Sequence, residues 1–354
     1  MASADSWIDG AVVGQLYAAA KLEGVREVIA FPDVYPGTDF AIGTAVLSEV
    51  IHPRLTGADF GCGVGLWKTD LRRNTVDLNE WSEIRFDLEH PWEGDVARRL
   101  TKAALASSFA PREFGTLGGG SHFAEAQVVE KIYHRSRFKD LDLNREQVFV
   151  VVHSGSGSVA EAVLGSAREE PGQETFVAAQ QIATRWAKAS RALIAERFSH
   201  SIGGICERVL DVVHNSVTPY EECGEAFWLH RRGAAAANEG PILIPGSRGT
   251  LSYLVEAVDE GFGNGASIAH GCGRKWPRSL SRQKARERFG AKGLIETELG
   301  GRVVCEERDL LYEEAPLAYK NIERVIRDLL EAGLVRVIAS LRPVFTYKMR
   351  ETRR

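Results

Sequence analysis

The sequence lacks any apolar run of the roughly 20 residues that span a bilayer, and its first residues lack the apolar core of a signal peptide. Its five cysteines are odd in number and irregularly spaced, which argues against a disulfide framework. Internal repeats, low-complexity segments and obvious linkers are also missing, which excludes a repeat architecture. These absences predict a cytoplasmic protein that does not enter a membrane.

A strong charge of either sign is missing too. The net charge of −4 gives no overall indication of nucleic-acid binding, and 354 residues with 44% hydrophobic content suffice for one large globular domain or two ordinary ones. Basic residues do cluster locally, in 134–139, 230–232, 274–288 and 347–354. Most such clusters are solvated surfaces. The 274–288 cluster directly follows a glycine-rich turn, so it is the best candidate for an RNA-contacting surface.

The segment TGADFGCGVGL (56–66) places an acidic residue and a thiol among glycines. A similar turn occurs in S-adenosylmethionine methyltransferases, where a buried strand leads into the turn and a helix leaves it. Here the approach IHPRLTGA contains a proline and a glycine, and the exit LWKTDLRRN begins with bulky residues and becomes charged. The methyltransferase interpretation is therefore disfavoured, and Asp59 and Cys62 require another role.

Periodicity and turn residues predict an α+β fold. Apolar residues recur at three- and four-residue spacing in 175–198, which predicts a long amphipathic helix. A second helix is predicted over 321–333, ended by its last glycine, and a strand over 334–341. Short β-rich runs end at His153 and His214, where a buried strand would hold a polar ligand rigidly.

Nine histidines are present, and four of them lie at strand ends or glycine turns, where backbone can approach a ligand closely. These four are His122, His153, His214 and His270. The others, in charged or proline-flanked contexts, are interpreted as structural or exposed: His52, His90, His134, His200 and His230. With Asp59 and Cys62, the first group can supply sulfur, nitrogen and oxygen ligands to a metal, for which zinc is the first choice by donor softness. The residues alone do not decide which histidines belong to the site.

Ten segments, in order along the chain, resemble motifs of the RtcB family of RNA ligases. They are FPDVYPGTDFAIG (31–43), GADFGCGV (57–64), GTLGGGSHFAEAQ (115–127), HSGSGS (153–158), DVVHNSV (211–217), HRRGA (230–234), PILIPGSRGTLSY (241–253), AHGCGRKWPRSLSR (269–282), EEAPLAYKNIERVI (313–326) and AGLVRVIASLRP (332–343). Ordered motifs over most of the chain are far more specific than a single glycine turn. The resemblance implies one RtcB-like domain over 1–354, with mixed sheets and helices around a central metal cleft.

The resemblance also implies roles for individual residues. Two manganese ions would be held by Asp59, Cys62, His122, His153 and His214, with Cys62 bridging. His270 would be the nucleophile that takes GMP from the co-substrate GTP, since an imidazole nitrogen can attack phosphorus and later leave. The positions that correspond to nucleotide contacts are Ser121, Glu125, Asn215, Ser247, Ser252, Gly271, Cys272, Gly273, Arg274, Tyr319 and Lys348. Asp33 would lie just behind the active site.

The activity implied is the joining of RNA 3′-phosphate or 2′,3′-cyclic phosphate ends to 5′-hydroxyl ends through a histidine–GMP intermediate. The chain resembles the short bacterial branch of the family, which occurs alongside release-factor homologues, and this suggests repair of cleaved transfer or ribosomal RNA. Two other functions stay open. One is a metal-dependent phosphatase or nuclease, and the other is a metal-stabilised RNA-binding scaffold.

Three departures from the family pattern affect the expected chemistry. Ser121 stands where the family usually has asparagine, and a hydroxyl lacks the two donors of an amide. The segment HSGSGS lacks the arginine that usually follows its second serine, so another basic residue would have to capture the RNA phosphate. Candidates for that role are Arg231, Arg248 and Lys275. Tyr35 replaces the usual histidine of the Pro-Asp-Val segment.

Overall fold

The computed structural model describes residues 6–107, 109, 112–164, 172–222, 224–258, 263–290 and 292–348. Within them the fold is α+β, as predicted. The strands are β1 (Val25–Tyr35), β2 (Ile42–Ser48), β3 (Gly63–Arg72), β4 (Phe123–Ile132), β5 (Gln147–Ser154), β6 (Cys206–Val213), β7 (Asn215–Glu222), β8 (Glu225–Arg232), β9 (Ala234–Ala236), β10 (Ile242–Ile244), β11 (Ser252–Ala257), β12 (Ser267–Ala269), β13 (Arg302–Cys305) and β14 (Val335–Lys348). The helices are α1 (Gly10–Ala20), α2 (Leu78–Glu83), α3 (Val96–Lys102), α4 (Arg135–Asp140), α5 (Val159–Leu164), α6 (Gln173–Ser201), α7 (Arg278–Arg288), α8 (Lys292–Ile295), α9 (Arg308–Glu313) and α10 (Ile322–Glu331).

The largest described sheet has eight strands, in the order β10-β11-β14-β4-β5-β3-β6, with β13 paired to β14 beside that path. Its pairings are antiparallel except that of β13 with β14. A second sheet has the order β1-β2-β8-β7, and β12 pairs with β9. The four neighbours β4, β5, β3 and β6 alternate in direction, so the start of one strand lies beside the end of the next.

Strand β5 lies inside the large sheet, between β4 and β3, and is buried on both faces. Phe149 and Val151 pack into one hydrophobic cluster, whereas Val148, Val150 and Val152 pack into a second cluster on the opposite face. This burial explains why the strand reads as a continuous apolar run rather than an alternating one. The rigid strand therefore holds the residue near its end, His153, in a fixed position.

Helix α6 covers one face of this sheet. It extends over Gln173–Ser201, slightly beyond the predicted range of 175–198, so the long amphipathic helix is confirmed. Its buried face includes Trp186, Ile194 and Phe198, which pack between the sheet and the neighbouring loops. Burial of one apolar stripe of this kind supplies most of a helix's stability in a folded protein.

The predicted helix and strand near the C-terminal end are both present, but the strand is longer than expected. Helix α10 ends at Glu331, and β14 continues to Lys348 rather than ending at residue 341. The added part of the strand includes Pro343, which has no N–H to donate to a ladder. In the structure, the register with β4 shifts between Pro343 and Phe345, and this irregularity accommodates the proline.

Among the described residues, no helix combines the length and apolarity needed to cross a lipid bilayer. Of the predicted basic cluster 347–354, positions 349–354 lie outside the described residues. That residues 1–354 form one domain stays a prediction.

Candidate metal centre and nucleotide cleft

The order of the central strands brings together residues that are far apart in sequence. Gly63, the first residue of β3, is opposite Ser154 at the end of β5 and opposite Val213 at the end of β6. Phe123, the first residue of β4, is opposite His153. Each of these candidate ligands lies at or next to one of these positions. Cys62, His122, His153 and His214 therefore lie together where the ends of β3, β4, β5 and β6 meet.

The thiol of Cys62 is the centre of this group. Its Sγ lies 3.3 Å from Nε2 of His153 and 3.8 Å from Nε2 of His122. The three side chains offer ligand atoms that all lie within 4.8 Å of one another, close enough to share one metal ion. The ring centroid of His214 is 5.2 Å from that of His153. Sulfur and imidazole donors at this spacing fit a divalent first-row metal.

Asp59 supplies a carboxylate next to these donors. Its Oδ2 lies 3.5 Å from Nε2 of His122, and its Oδ1 accepts a hydrogen bond of 2.8 Å from the backbone N–H of Ser156. Burial tends to raise the pKa of Asp59, but the contacts with His122 and Ser156 outweigh it and lower the pKa below its ordinary value. A Cβ added to Gly155 would lie 2.1 Å from this carboxylate, so the close approach requires glycine.

The protonation states of the buried donors also suit a metal. Burial lowers the pKa of His153 and of His214 well below the ordinary range, which keeps both rings neutral and able to coordinate. Nδ1 of His153 lies 3.3 Å from the carbonyl oxygen of Ser121, so the ring proton belongs on Nδ1 and Nε2 faces the thiol. Burial and the nearby Asp59 raise the pKa of Cys62 well above its usual value, and a bound cation would reverse that shift.

His270 lies beside this cluster, directly after β12. Its ring centroid is 4.7 Å from that of His214, and its Nδ1 is 2.6 Å from Oδ2 of the fully buried Asp33. The backbone N–H of His270 also donates to the same Oδ2, at 3.1 Å. Because the carboxylate holds the Nδ1 side of the ring, Nε2 is the nitrogen available for bond formation.

The loop after His270 packs against the segment that carries Asp33. Gly273 has a φ of +69°, and a Cβ there would lie 1.9 Å from the carbonyl oxygen of Asp33. Only glycine combines this backbone conformation with so close an approach. The glycine therefore fixes the geometry between the histidine and the carboxylate that orients it.

A cleft extends from His270 along this loop. Nine of the predicted nucleotide contacts line it: Ser121, Glu125, Ser247, Gly271, Cys272, Gly273, Arg274, Tyr319 and Lys348. Two predicted contacts are not among its lining residues. The Asn215 amide donates to the carbonyl oxygen of Asp59 at 3.1 Å and accepts from the N–H of Gly233, so it supports the metal loop. Ser252 accepts from Gln127, which also donates to Glu125.

The pKa values of two buried carboxylates in the cleft, Glu125 and Glu314, are shifted in opposite directions. Burial raises the pKa of Glu125 to about 7, although Thr346 and Gln127 donate hydrogen bonds to it. Burial acts in the same direction on Glu314, but the neighbouring Lys348 and Arg274 prevail and hold its pKa at about 2. Glu314 was missed by the sequence analysis, because nothing in its segment distinguishes it from the adjacent glutamate.

The basic residues near the cleft are mostly engaged within the protein. Arg274 donates to Glu314 at 2.8 Å and to the carbonyl oxygen of Glu313 at 2.9 Å. Of the candidates for the missing arginine, Arg231 is buried and bonded to Ser267 at 2.8 Å, and it does not line the cleft. Arg248 does line it.

The 274–288 segment forms the loop after His270 and helix α7, and much of its charge is neutralised. Arg282 and Arg286 both pair with Asp309, at 2.7 and 2.6 Å. Lys275, the third candidate for the missing arginine, lies over the rings of Trp7 and Trp276, with its Nζ 5.3 and 4.9 Å from their centroids. Contact of this segment with RNA stays a prediction.

Fold and site together define a candidate metalloenzyme, in which a histidine loop adjoins a cluster of thiol, imidazole and carboxylate donors. Comparison with known proteins gives the family. The family model described as tRNA-splicing ligase RtcB matches residues 15–108, 92–169 and 165–349. The chain therefore belongs to the RtcB family, and the resemblance seen in the sequence is confirmed.

Named relatives agree with this assignment. The RNA-splicing ligase RtcB2 of Escherichia coli is 34% identical over 98% of this chain and 94% of its own length. The tRNA-splicing ligase RtcB of Aeropyrum pernix is 26% identical over 92% of this chain and 89% of its own length. The tRNA-splicing ligase RtcB of Methanococcus maripaludis is also 26% identical, over 95% of this chain and 91% of its own length. These matches cover most of the chain, and the family match over residues 15–349 includes every segment that carries a candidate site residue.

Proposed function

We propose that this chain is an RNA ligase that joins an RNA 3′-phosphate or 2′,3′-cyclic phosphate end to a 5′-hydroxyl end, using GTP and two manganese ions. The observation that carries the proposal is the position of His270, whose ring lies 4.7 Å from that of His214 and whose Nδ1 is 2.6 Å from Asp33. A histidine held in this way beside metal ligands suits nucleophilic attack on phosphorus. The names of the matched relatives support RNA as the substrate.

The residues that would hold the two ions in this proposal are Asp59, Cys62, His122, His153 and His214, and the Cys62 thiolate would be the donor common to both. The described donors fit such a centre, since Nδ1 of His122 is buried without a hydrogen-bond partner and its Nε2 faces both Cys62 and Asp59. When bound, the ions supply positive charge that stabilises the phosphate oxygens and orients the reacting groups.

In the first step, Nε2 of His270 attacks the α-phosphorus of GTP. A nitrogen–phosphorus bond forms, the bond from the α-phosphorus to the bridging oxygen breaks, and pyrophosphate leaves. The Asp33 carboxylate, whose Oδ2 is 2.6 Å from Nδ1, would keep the ring proton on Nδ1, which leaves the lone pair of Nε2 free for the attack, and its charge would stabilise the positive charge that develops on the imidazole.

In the second step, an oxygen of the RNA 3′-phosphate attacks the same phosphorus and His270 leaves. In the third step, the 5′-hydroxyl of the other RNA end attacks the 3′-phosphorus and loses its proton, and GMP departs. A 2′,3′-cyclic phosphate is first opened by water. The guanylyl group is needed because an RNA 3′-phosphate monoester has no good leaving group until it is capped.

The cleft beside His270 would hold the guanine nucleotide. Backbone N–H groups of Gly271 and Gly273 would face its phosphates, as in other glycine-rich turns. Glu125 would accept hydrogen bonds from the guanine base, and Lys348 and Tyr319 would line the cleft beside the nucleotide. Asn215 and Ser252 do not line the cleft and would act indirectly, Asn215 by holding the Asp59 loop and Ser252 through Gln127, which donates to Glu125.

The test is covalent labelling. Purified protein is incubated with Mn²⁺ and GTP labelled at the α-phosphorus, and we expect an acid-labile label on the protein that is released as GMP when RNA with a 3′-phosphate is added. The same reaction with ATP is the control. Absence of any adduct under saturating Mn²⁺ and GTP would contradict the proposed mechanism. RNA cleavage or dephosphorylation that is indifferent to GTP would instead indicate a phosphatase or nuclease, and RNA binding without turnover would indicate a scaffold.

The proposed role of Glu125 predicts a pH dependence of GTP use. With a pKa of about 7, Glu125 is mostly ionised at pH 8 and mostly protonated at pH 6. Only the ionised form accepts both guanine N–H groups, so we expect the KM for GTP to rise about tenfold from pH 8 to pH 6. The Glu125→Gln variant should have a high KM at both pH values. If the KM of Glu125→Gln for GTP rose between pH 8 and pH 6 as much as that of the native chain, Glu125 would be ruled out as the titrating contact.

We place this activity in the repair of cleaved transfer or ribosomal RNA in the cytoplasm, with a functional link to a release-factor homologue. This assignment is based on the resemblance to the short bacterial branch of the family. Its test is genetic: a strain lacking the gene should accumulate RNA fragments with 3′-phosphate or cyclic-phosphate ends after RNA damage. Unchanged fragment levels would argue against the repair role.

A further inference from the structure

One fully buried arginine contacts three of the segments that carry the candidate metal ligands. Arg191 lies in helix α6, and its side chain is 0% exposed. Its Nη1 donates to the carbonyl oxygen of Ser154 at 2.5 Å and to that of Gly61 at 3.2 Å, and its Nε donates to Oδ1 of Asp211 at 2.8 Å. A single guanidinium therefore joins the helix to three separate parts of the chain.

Each of these partners is close to a candidate ligand. Gly61 is adjacent in sequence to Cys62, Ser154 is adjacent to His153, and Asp211 lies in the strand that leads to His214. We propose that Arg191 is a positioning residue that sets the spacing of the Cys62, His153 and His214 segments and so fixes the geometry of the metal centre. The inference rests on the proposed metal-dependent function, because it concerns the same donors.

The chemistry of the side chain supports this role. An arginine has five N–H donors in a rigid planar fork, which allows one side chain to bind two carbonyl oxygens and a carboxylate at fixed relative positions. A lysine has one nitrogen on a flexible stem and cannot reach all three partners. The ladder hydrogen bonds of β3, β5 and β6 and the bond from the N–H of His214 to the carbonyl oxygen of Cys62 also hold these segments, but they act between backbones, whereas Arg191 joins all three segments to helix α6.

A purely stabilising role explains the arrangement less well. The Asp211 side chain is 3% exposed, so the pair with Arg191 is almost completely removed from water. Removing two charges from water is costly, and well-packed apolar residues in place of a buried ion pair are often as stable or more stable. Retaining the pair at this point is better explained by the precision that it gives to the ligand-bearing segments.

Helix α6 also provides a matched control. Arg197 is a second arginine of the same helix, and it donates to the carbonyl oxygens of Gly115 at 2.6 Å, His90 at 3.3 Å and Asp87. None of these partners is adjacent in sequence to Asp59, Cys62, His122, His153 or His214. Asp87 and His90 form a separate acidic group with Glu89 that contains no thiol, so the thiolate–cobalt absorption does not report on it. Replacing Arg197 by lysine therefore removes bonds of the same kind from the same helix without disturbing the segments next to Cys62 and His153.

The experiment compares Arg191→Lys with Arg197→Lys by equilibrium metal binding. The probes are Co²⁺, followed by the absorption band that a thiolate–cobalt bond produces, and Mn²⁺, followed by electron paramagnetic resonance. We expect Arg191→Lys to weaken binding of both metals by roughly 10- to 100-fold and to change the cobalt spectrum, as loss of residues that orient metal ligands does elsewhere. Arg197→Lys should lower the thermal midpoint but leave the metal affinity within about twofold of native.

A second variant separates positioning from stability. In Arg191→Met/Asp211→Leu both charges are replaced by apolar side chains, so we expect a folded protein with a thermal midpoint near the native value but with the same weakened metal binding. Native cobalt spectra and affinities in either Arg191 variant would overturn the inference and leave the proposed function intact. Failure of the native protein to bind Co²⁺ through a thiolate would instead overturn the proposed metal centre, and the inference with it.

Discussion

The His270→Ala variant should lose covalent guanylylation entirely. In the proposed mechanism, Nε2 of His270 forms the bond to the α-phosphorus of GTP, and alanine offers no atom that can replace it. We expect the rate of adduct formation to fall by at least about 1,000-fold, the scale on which removal of a nucleophile acts in other enzymes. The measurement is the amount of label retained by the protein after incubation with Mn²⁺ and GTP labelled at the α-phosphorus.

The matched control is His200→Ala. His200 lies near the end of α6 and is exposed, and it is not among the residues that line the cleft. This variant should form the adduct at the native rate, so a general effect of losing a histidine is excluded. An adduct of undiminished amount in His270→Ala would show that another residue is the nucleophile, and the order of steps proposed above would have to be abandoned.

The Cys62→Ser variant should lose most of its metal affinity. The Cys62 Sγ lies 3.3 Å from Nε2 of His153 and 3.8 Å from Nε2 of His122, and it would be shared by both ions. A serine hydroxyl remains protonated near neutral pH and is a poor ligand, whereas a thiol becomes a thiolate when a metal binds. We expect Mn²⁺ binding to weaken by at least roughly 100-fold, more than the loss of an outer-sphere residue causes.

Cys206→Ser is the control for this experiment. Cys206 begins β6, whereas the candidate ligand His214 follows the other end of that strand. Its replacement should leave Mn²⁺ affinity and the thiolate–cobalt absorption unchanged. If Cys62→Ser kept the absorption band while Cys206→Ser lost it, the metal centre would lie elsewhere in the protein.

The sequence was sufficient to select the candidate metal ligands, but their proximity needed the fold. Motif resemblance selected Asp59, Cys62, His122, His153 and His214. The structure places the thiol, imidazole and carboxylate donors next to one another, where the ends of the central strands meet. Their exact roles stay predictions, as does the role of His270. The resemblance succeeded because a side chain that reacts or binds a metal must be of one particular type, and type is visible in sequence.

Supporting residues were much harder to predict. Arg191 lies in a long helix among other charged residues, and nothing in 175–198 indicates that it is fully buried. Asp211 and Glu314 were likewise not singled out, although both are buried partners of arginines near the site. A supporting residue is defined by which atoms it touches, and those contacts arise between segments that are distant in the chain.

The sequence by itself determined the family, the α+β class and the chemical types of the candidate ligands, because these depend on local patterns and on side-chain chemistry. Tertiary structure alone decided that β4, β5, β3 and β6 are neighbours and that their ends meet. It also decided that Asn215 and Ser252 do not line the cleft and that Arg191 joins three ligand segments. Strand order is set by the burial of both faces of the sheet, and this burial is a property of the whole chain rather than of any single motif.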